Sequence, residues 1–151
     1  MNHITSAGRT DAVVRPLSTV RAALLIAAAT LLIGLWNLEG PEFWWDEGWT
    51  LSVARNFVER GHYGRLLDGE PAPGGLEASP VVTLPVALSF QVFGVGLWQG
   101  RLVSLAAAAA ALALMFVLAA RLYDQRVAWG TSGTLLLLLT AHLQLNALLT
   151  G

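Results

Sequence analysis

Residues 79–100 read SPVVTLPVALSFQVFGVGLWQG, and the number of times this chain crosses a membrane depends on how that stretch is taken. It is apolar, but Pro80, Pro85, Gln91 and the Gly94/Gly96 pair interrupt it. A helix needs roughly 20 apolar residues to cover a hydrocarbon layer about 30 Å thick, and proline inside a helix removes a hydrogen bond. Three other apolar runs, about Arg21–Leu38, Leu102–Ala120 and Trp129–Leu149, have the length and continuity this stretch lacks.

Composition fits a membrane protein. The 151 residues are 55% hydrophobic and only 13% charged, with mean hydropathy +0.58, whereas soluble domains carry about 25% charged residues. With no cysteine there is no disulfide framework and no thiolate metal site. The 3 histidines, His3, His62 and His142, have no ligand spacing. All 9 basic residues are arginines that never cluster, which argues against a nucleic-acid partner. The run Ala22–Leu35 follows Arg9, Arg15 and Arg21 as in a secretory signal, but "GLWNLEGPEFWW" supplies no small-residue cleavage site. It reads as an uncleaved anchor.

Charge decides between four crossings and three, because short arginine-bearing segments stay cytoplasmic. Residues 1–20 carry Arg9 and Arg15 with Asp11, and "RLYDQR" carries Arg121 and Arg126 with Asp124. The stretch 39–79 sets Arg55, Arg60 and Arg65 against eight carboxylates. With three crossings the tail and the "RLYDQR" turn both lie inside and the acidic stretch outside; with four, the turn falls outside. The reading is therefore an all-α integral membrane protein of about three transmembrane helices with extracytoplasmic juxtamembrane helices. It comprises a cytoplasmic tail (1–20), a span (21–38), an outer loop (39–98), a span (99–120), a cytoplasmic turn (121–128) and a span (129–149). The outer loop holds an amphipathic helix over 46–60 and an apolar interfacial or re-entrant helix over 81–95, whose broken backbone requires protein cover. Trp36, Trp44, Trp45, Trp49 and Trp98 then fall at the outer interface, where indoles prefer to lie. The Ala106–Ala111 run suits either close helix approach or a plain lipid-facing surface.

The stretch "WWDEGWTLSVARNFVERG", 44–61, sets two carboxylates beside two indoles and continues with helical periodicity. Trp49, Leu51, Val53, Ala54, Phe57 and Val58 form the expected apolar face, Arg55, Asn56, Glu59 and Arg60 lie largely opposite, and Gly61 supplies the stop. Asp46 at the start of this helix can cap free N–H groups and meet the positive end of the dipole. Capping leaves Glu47 unexplained. A carboxylate fixed at the edge of the apolar layer can instead take a proton from an acceptor hydroxyl or amine, and its neighbour can orient a substrate or hold a divalent cation through oxygen. Arg101, at the outer mouth of the second span, either anchors that helix by snorkelling or offers its planar fork of donors to a phosphate.

From Trp36 onward the order of motifs resembles the first outer loop of the GT-C glycosyltransferases, nearest to the protein O-mannosyltransferase and aminoarabinose transferase group (the glycosyltransferase 39/83 type). The residues that carry the resemblance are "DEGWTLSVARN", "GHYG", "ASPVV", "QVFG" and "LWQGR". The resemblance implies the N-terminal part of a GT-C fold, and sugar transfer from a polyprenyl-phosphate-linked donor to an acceptor outside the cytoplasmic membrane. It matches Asp46 to the catalytic base, Glu47 to its acidic neighbour, and Arg101 to the arginine entering the second true span, where it would meet the donor phosphate. Glu77 falls where some relatives place another acid just before the proline, and Arg55 belongs to the "ARN" of the helix, so both join the substrate-loop candidates. A divalent cation stays open, with Glu47 its ligand here, because some relatives use one and others do not. The chain departs from the pattern at "ASPVV", where many relatives read His-Pro-Pro-Leu. The resemblance also implies further spans and another acidic loop after Gly151, which makes this chain an N-terminal portion holding half a site, inactive alone.

The rival of a different class is a small non-catalytic membrane protein or assembly subunit (a truncated paralogue), whose acidic helix docks a partner. A transporter is disfavoured, because the spans carry no central charged residue for an ion path. The stretch "LLDGEPAPGGLEASP", 66–80, is expected to be a flexible connector or a substrate-covering segment.

Overall fold

The computed structural model describes residues 16–36, 38–40, 45–74 and 77–150, and the side chains of residues 18–141 within those ranges. The sequence expectations for the tail up to residue 15, for Trp44, and for the side chain of His142 lie outside the described residues. Helices dominate the described residues. They are α1 (Pro16–Leu35), α2 (Trp45–Arg60), α3 (Pro80–Phe93), α4 (Leu97–Leu122) and α5 (Gln125–Thr150), with one two-stranded ribbon, β1 (Leu66–Leu67) and β2 (Glu70–Pro71), between α2 and α3.

Two helices are long and apolar enough to cross a membrane, Ser18–Leu35 within α1 and Leu97–Leu122, which is α4. Only 33% and 17% of their apolar windows are buried. Apolar helices of a soluble core bury most of their surface; here Leu24, Leu25, Leu32, Leu114, Leu118 and Leu122 face outward. Along α5, Leu137 and Leu138 are exposed in the same way. Two hydroxyls within these helices bond their own backbone, as side chains in an apolar medium commonly do: Thr30 donates to the Ile26 carbonyl at 2.8 Å and Thr140 to that of Leu136 at 2.8 Å. Those of Thr19 in α1 and Ser132 in α5 are buried without a hydrogen-bond partner among the described residues.

The helix α1 runs antiparallel to α4. Ala22, Ala23 and Ile26, near the start of α1, form one core with Phe116 and Ala120, near the end of α4, and with Ala128 of α5. At the other end Gly34 packs against Leu105, which would run into a Cβ at that position. Phe116 and Trp129 meet edge to face at 5.1 Å, fixing α5 to the same core. In the alanine run of α4 only Ala109 is buried, so most of that run faces outward.

The helices α2 and α3 gather at the end where α1 finishes and α4 begins. Ala54 packs with Val86, Ala87 and Phe90 of α3, flanked by Leu51, Phe57, Val58 and Val103. Fully burying a side chain such as Phe90 removes roughly 1.5–3 kcal/mol of apolar exposure to water. With 14 residues at about 1.5 Å rise per residue, α3 reaches well short of a hydrocarbon core about 30 Å thick. Pro80 occupies its first turn, where no N–H is needed. Pro85 sits inside it on an exposed face, and Gly94, at φ 86°, ends it. Val81, Leu84, Leu88, Val92 and Phe93 of α3 are left exposed.

Several expected boundaries move. The first helix begins at Pro16 and stops at Leu35, so residues 16–20 are helical and Trp36 lies in a turn. The break between α4 and α5 is only Tyr123–Asp124, where the Asp124 carboxylate accepts from the Val127 N–H at 2.8 Å and caps α5. The stretch expected to be a connector contains an antiparallel hairpin, with Leu66 paired to Pro71 and Leu67 to Glu70. Its turn residues Asp68 (φ 52°) and Gly69 (φ 90°) both have positive φ, which gives two-residue hairpins a twist matching their strands.

Candidate functional site

The helix α2 begins at Trp45, one residue ahead of the expected start, so Asp46 and Glu47 both lie in its first turn, near the positive end of the helix dipole. Their environments diverge. Asp46 is exposed and has no ionic or hydrogen-bonding side-chain partner among the described residues. Glu47 accepts from Arg101 through both oxygens: Nε to Oε1 at 2.5 Å and Nη2 to Oε2 at 2.8 Å. The Arg101 Nη1 donates to the Leu38 carbonyl at 2.9 Å. The pair is largely covered, with the Arg101 and Glu47 side chains 10% and 21% exposed. Bidentate charge-assisted contacts of this kind are shorter and stronger than neutral hydrogen bonds. The two sequence candidates, one read as a metal or substrate contact and one as a phosphate contact, are thus held by each other.

Gly100 permits this approach. A Cβ there would collide with the Leu51 side chain, so glycine lets α2 rest on the first turn of α4. Leu51 lies one helical turn after Glu47, and Arg101 follows Gly100, so the same contact brings the two charges together.

Asp46 stands on the rim of two clefts. One, of about 310 Å³, runs from Asp46, Glu47 and Arg101 down to Val82 and Val86 of α3. The other, of about 440 Å³, sets Asp46 opposite Glu77, between Trp45, Trp49 and Ser79. The structure therefore joins Asp46, Glu47, Arg101 and Glu77 around one corner of α2. It separates Arg55, whose Nε binds Glu59 at 3.0 and 3.1 Å on another face of the helix. Glu47 has both oxygens committed to a guanidinium, and among the described residues no group of three potential metal ligands occurs.

The loop motifs act as fasteners. The Asn56 amide donates to the Gly64 carbonyl at 3.0 Å and the Tyr63 hydroxyl to the Ala78 carbonyl at 2.5 Å, while Phe57 and Tyr63 meet edge to face at 5.8 Å. They hold the chain between α2 and α3 so that Glu77 returns beside Asp46. On the α3 side, the Ser89 hydroxyl donates to the Gln99 carbonyl at 2.8 Å across the α3–α4 bend.

Trp49 does not join the apolar face expected of α2. It lies on the far side, edge to face with Trp45 at 5.4 Å and beneath the Arg65 guanidinium, 4.2 Å from the ring centre. Sequence reasoning passed over Arg65 and the Leu38 carbonyl as parts of the site. Neither has a local pattern to reveal it, since each partner comes from a distant part of the chain. In comparisons with known proteins, no protein-family model, no curated protein and no solved structure matches this chain.

Proposed function

We propose that this chain supplies the acceptor-activating part of a membrane glycosyltransferase with the GT-C fold, one that moves a sugar from a polyprenyl-phosphate carrier to an acceptor on the extracytoplasmic side of the cell membrane. The observation that carries the reading is the cleft joining the exposed Asp46 carboxylate to the apolar wall of Val82 and Val86. A donor with a charged head and a hydrocarbon tail needs such a junction, polar at one end and open to lipid at the other. In this reading α1, α4 and α5 cross the membrane with the N-terminus inside, and α2 and α3 lie at the outer surface.

Asp46 takes the proton from the acceptor hydroxyl or amine as that group attacks the anomeric carbon. The new bond joins acceptor to sugar, the bond from sugar to phosphate oxygen breaks, and polyprenyl phosphate leaves with the electron pair. Inversion at the sugar carbon is what the family resemblance implies. The Glu47–Arg101 pair positions Asp46 by fixing the first turn of α2 against α4, and its guanidinium adds a positive charge to the wall of the cleft. Glu77 borders the acceptor side.

The test is Asp46→Asn in membranes carrying the intact gene product, with a radiolabelled polyprenyl-phosphate sugar. Transfer should fall about a hundredfold to ten-thousandfold, the range of general-base contributions, with the protein still folded. Undiminished transfer would reduce Asp46 to a helix-end charge. It would favour the second reading, a non-catalytic membrane subunit, which the internal use of Glu47 and Arg101 also suits.

A further inference from the structure

A third cavity lies on the face of α2 turned away from α3. It encloses about 710 Å³ between α2 and the β1–β2 hairpin, and its walls include Trp45, Trp49, Arg55, Arg60 and Arg65. The stretch 39–79 is acidic as a whole, with eight carboxylates to three arginines, yet all three of those arginines line this cavity and, among the described residues, Glu59 is the one carboxylate that does. Glu59 is already paired with Arg55. Arg60 and Arg65 have no carboxylate partner among the described residues. Arg65 rests on the Trp49 indole, an arrangement that fixes the guanidinium plane while leaving its edge N–H groups to bind. Two guanidinium groups lining one concavity favour an anion there, and the exposed indole of Trp45 offers a flat surface to whatever that anion is attached to.

We propose that this cavity is a binding site for an organic phosphate, which shares the Trp45 and Trp49 walls with one cleft of Asp46 but is not lined by Asp46 itself. The phosphate meets Arg60 and Arg65 through charge-assisted hydrogen bonds, and its organic part lies against Trp45, which is 73% exposed. The phosphate can be that of a lipid headgroup or of a free soluble ester; the chemistry of recognition is the same. The arginines and the hairpin form this site whether or not the chain takes part in sugar transfer.

The experiment follows tryptophan fluorescence of the full chain in neutral detergent micelles titrated with glycerol 3-phosphate, and of the full chain in nanodiscs of phosphatidylcholine with and without phosphatidylglycerol. A saturable change with glycerol 3-phosphate assigns a soluble ester. A change only with phosphatidylglycerol, absent in phosphatidylcholine alone, assigns a lipid headgroup. Arg60→Gln and Arg65→Gln should each weaken the effective ligand about tenfold, the scale of one charge-assisted contact. Glu59→Gln should tighten it by releasing Arg55. The control is Arg121→Gln/Arg126→Gln at the far end of the bundle, which removes two positive charges and should change nothing. Binding lost equally in that control, or no response to either ligand by a chain whose circular dichroism is intact, overturns the proposal. If Arg65→Gln loosens the hairpin, Arg65→Lys keeps the charge and should retain most of the affinity.

Discussion

Arg101 satisfies three acceptors on two other parts of the chain, the carboxylate oxygens of Glu47 and the carbonyl of Leu38. Removing one member of such a covered pair leaves the other charge uncompensated, which costs more than the pair contributes. Glu47→Gln should therefore lower stability by about 2–3 kcal/mol, below the figure for fully buried pairs because Glu47 is partly open. Glu47→Gln/Arg101→Gln should cost less than the sum of the single changes, with a coupling of roughly 1–3 kcal/mol. Thermal unfolding of the four proteins in micelles measures this; strictly additive effects would mean the pair is solvated and weak. Exposed pairs such as Arg55 with Glu59 belong to that weaker class, at about 0.3–0.5 kcal/mol for adjacent turns of a helix.

At the scale of elements, the junction of α2 with α4 rests on a missing side chain. Gly100→Val should push Leu51 aside, lift α2 from α4 and cost about 1–3 kcal/mol, as overpacking does. Adding Leu51→Ala should restore part of the loss by clearing the space, and failure of that rescue would place the damage elsewhere. How far the elements were legible differed from one to the next. Runs of Leu and Ala announce long helices by length alone, and the prolines and glycines of residues 79–100 announced a short one. The Asp68-Gly69 turn was legible only in part: that dipeptide favours a two-residue hairpin, but it is followed by Glu70 and Pro71 where a second apolar strand would be expected. The side of α2 taken by Trp49 was also open to arithmetic, since at about 100° per residue it lies far around the helix from Leu51. The Glu47–Arg101 contact was not legible: the residues are 54 positions apart, and no local pattern links them.

At the scale of the molecule, the antiparallel pairing of α1 with α4 puts α2, α3 and the hairpin at one end and the Tyr123–Asp124 turn at the other. The chain has no cysteine, so single introduced thiols report position cleanly. With three crossings, Asp68→Cys at the hairpin tip should react with an impermeant maleimide on intact cells, and Tyr123→Cys only after permeabilisation. Reaction of both on intact cells would mean that residues 79–100 cross as well. Indoles mark the same end independently: Trp36 and Trp45 are 92% and 73% exposed, an arrangement that suits a headgroup layer better than bulk water.

The Arg101 guanidinium also imposes a sequence of events on biosynthesis. Glu47 leaves the ribosome 54 residues before Arg101, so α2 forms without the partner that fixes it. Residues 45–79 lack that tether until the first turn of α4 arrives beside Leu38, and only then can the corner of Asp46 close. Nascent chains halted before Arg101 emerges should lose residues 45–79 to protease, and chains halted after α4 is in place should keep them, which makes assembly of this corner a late, single closing step rather than a gradual one.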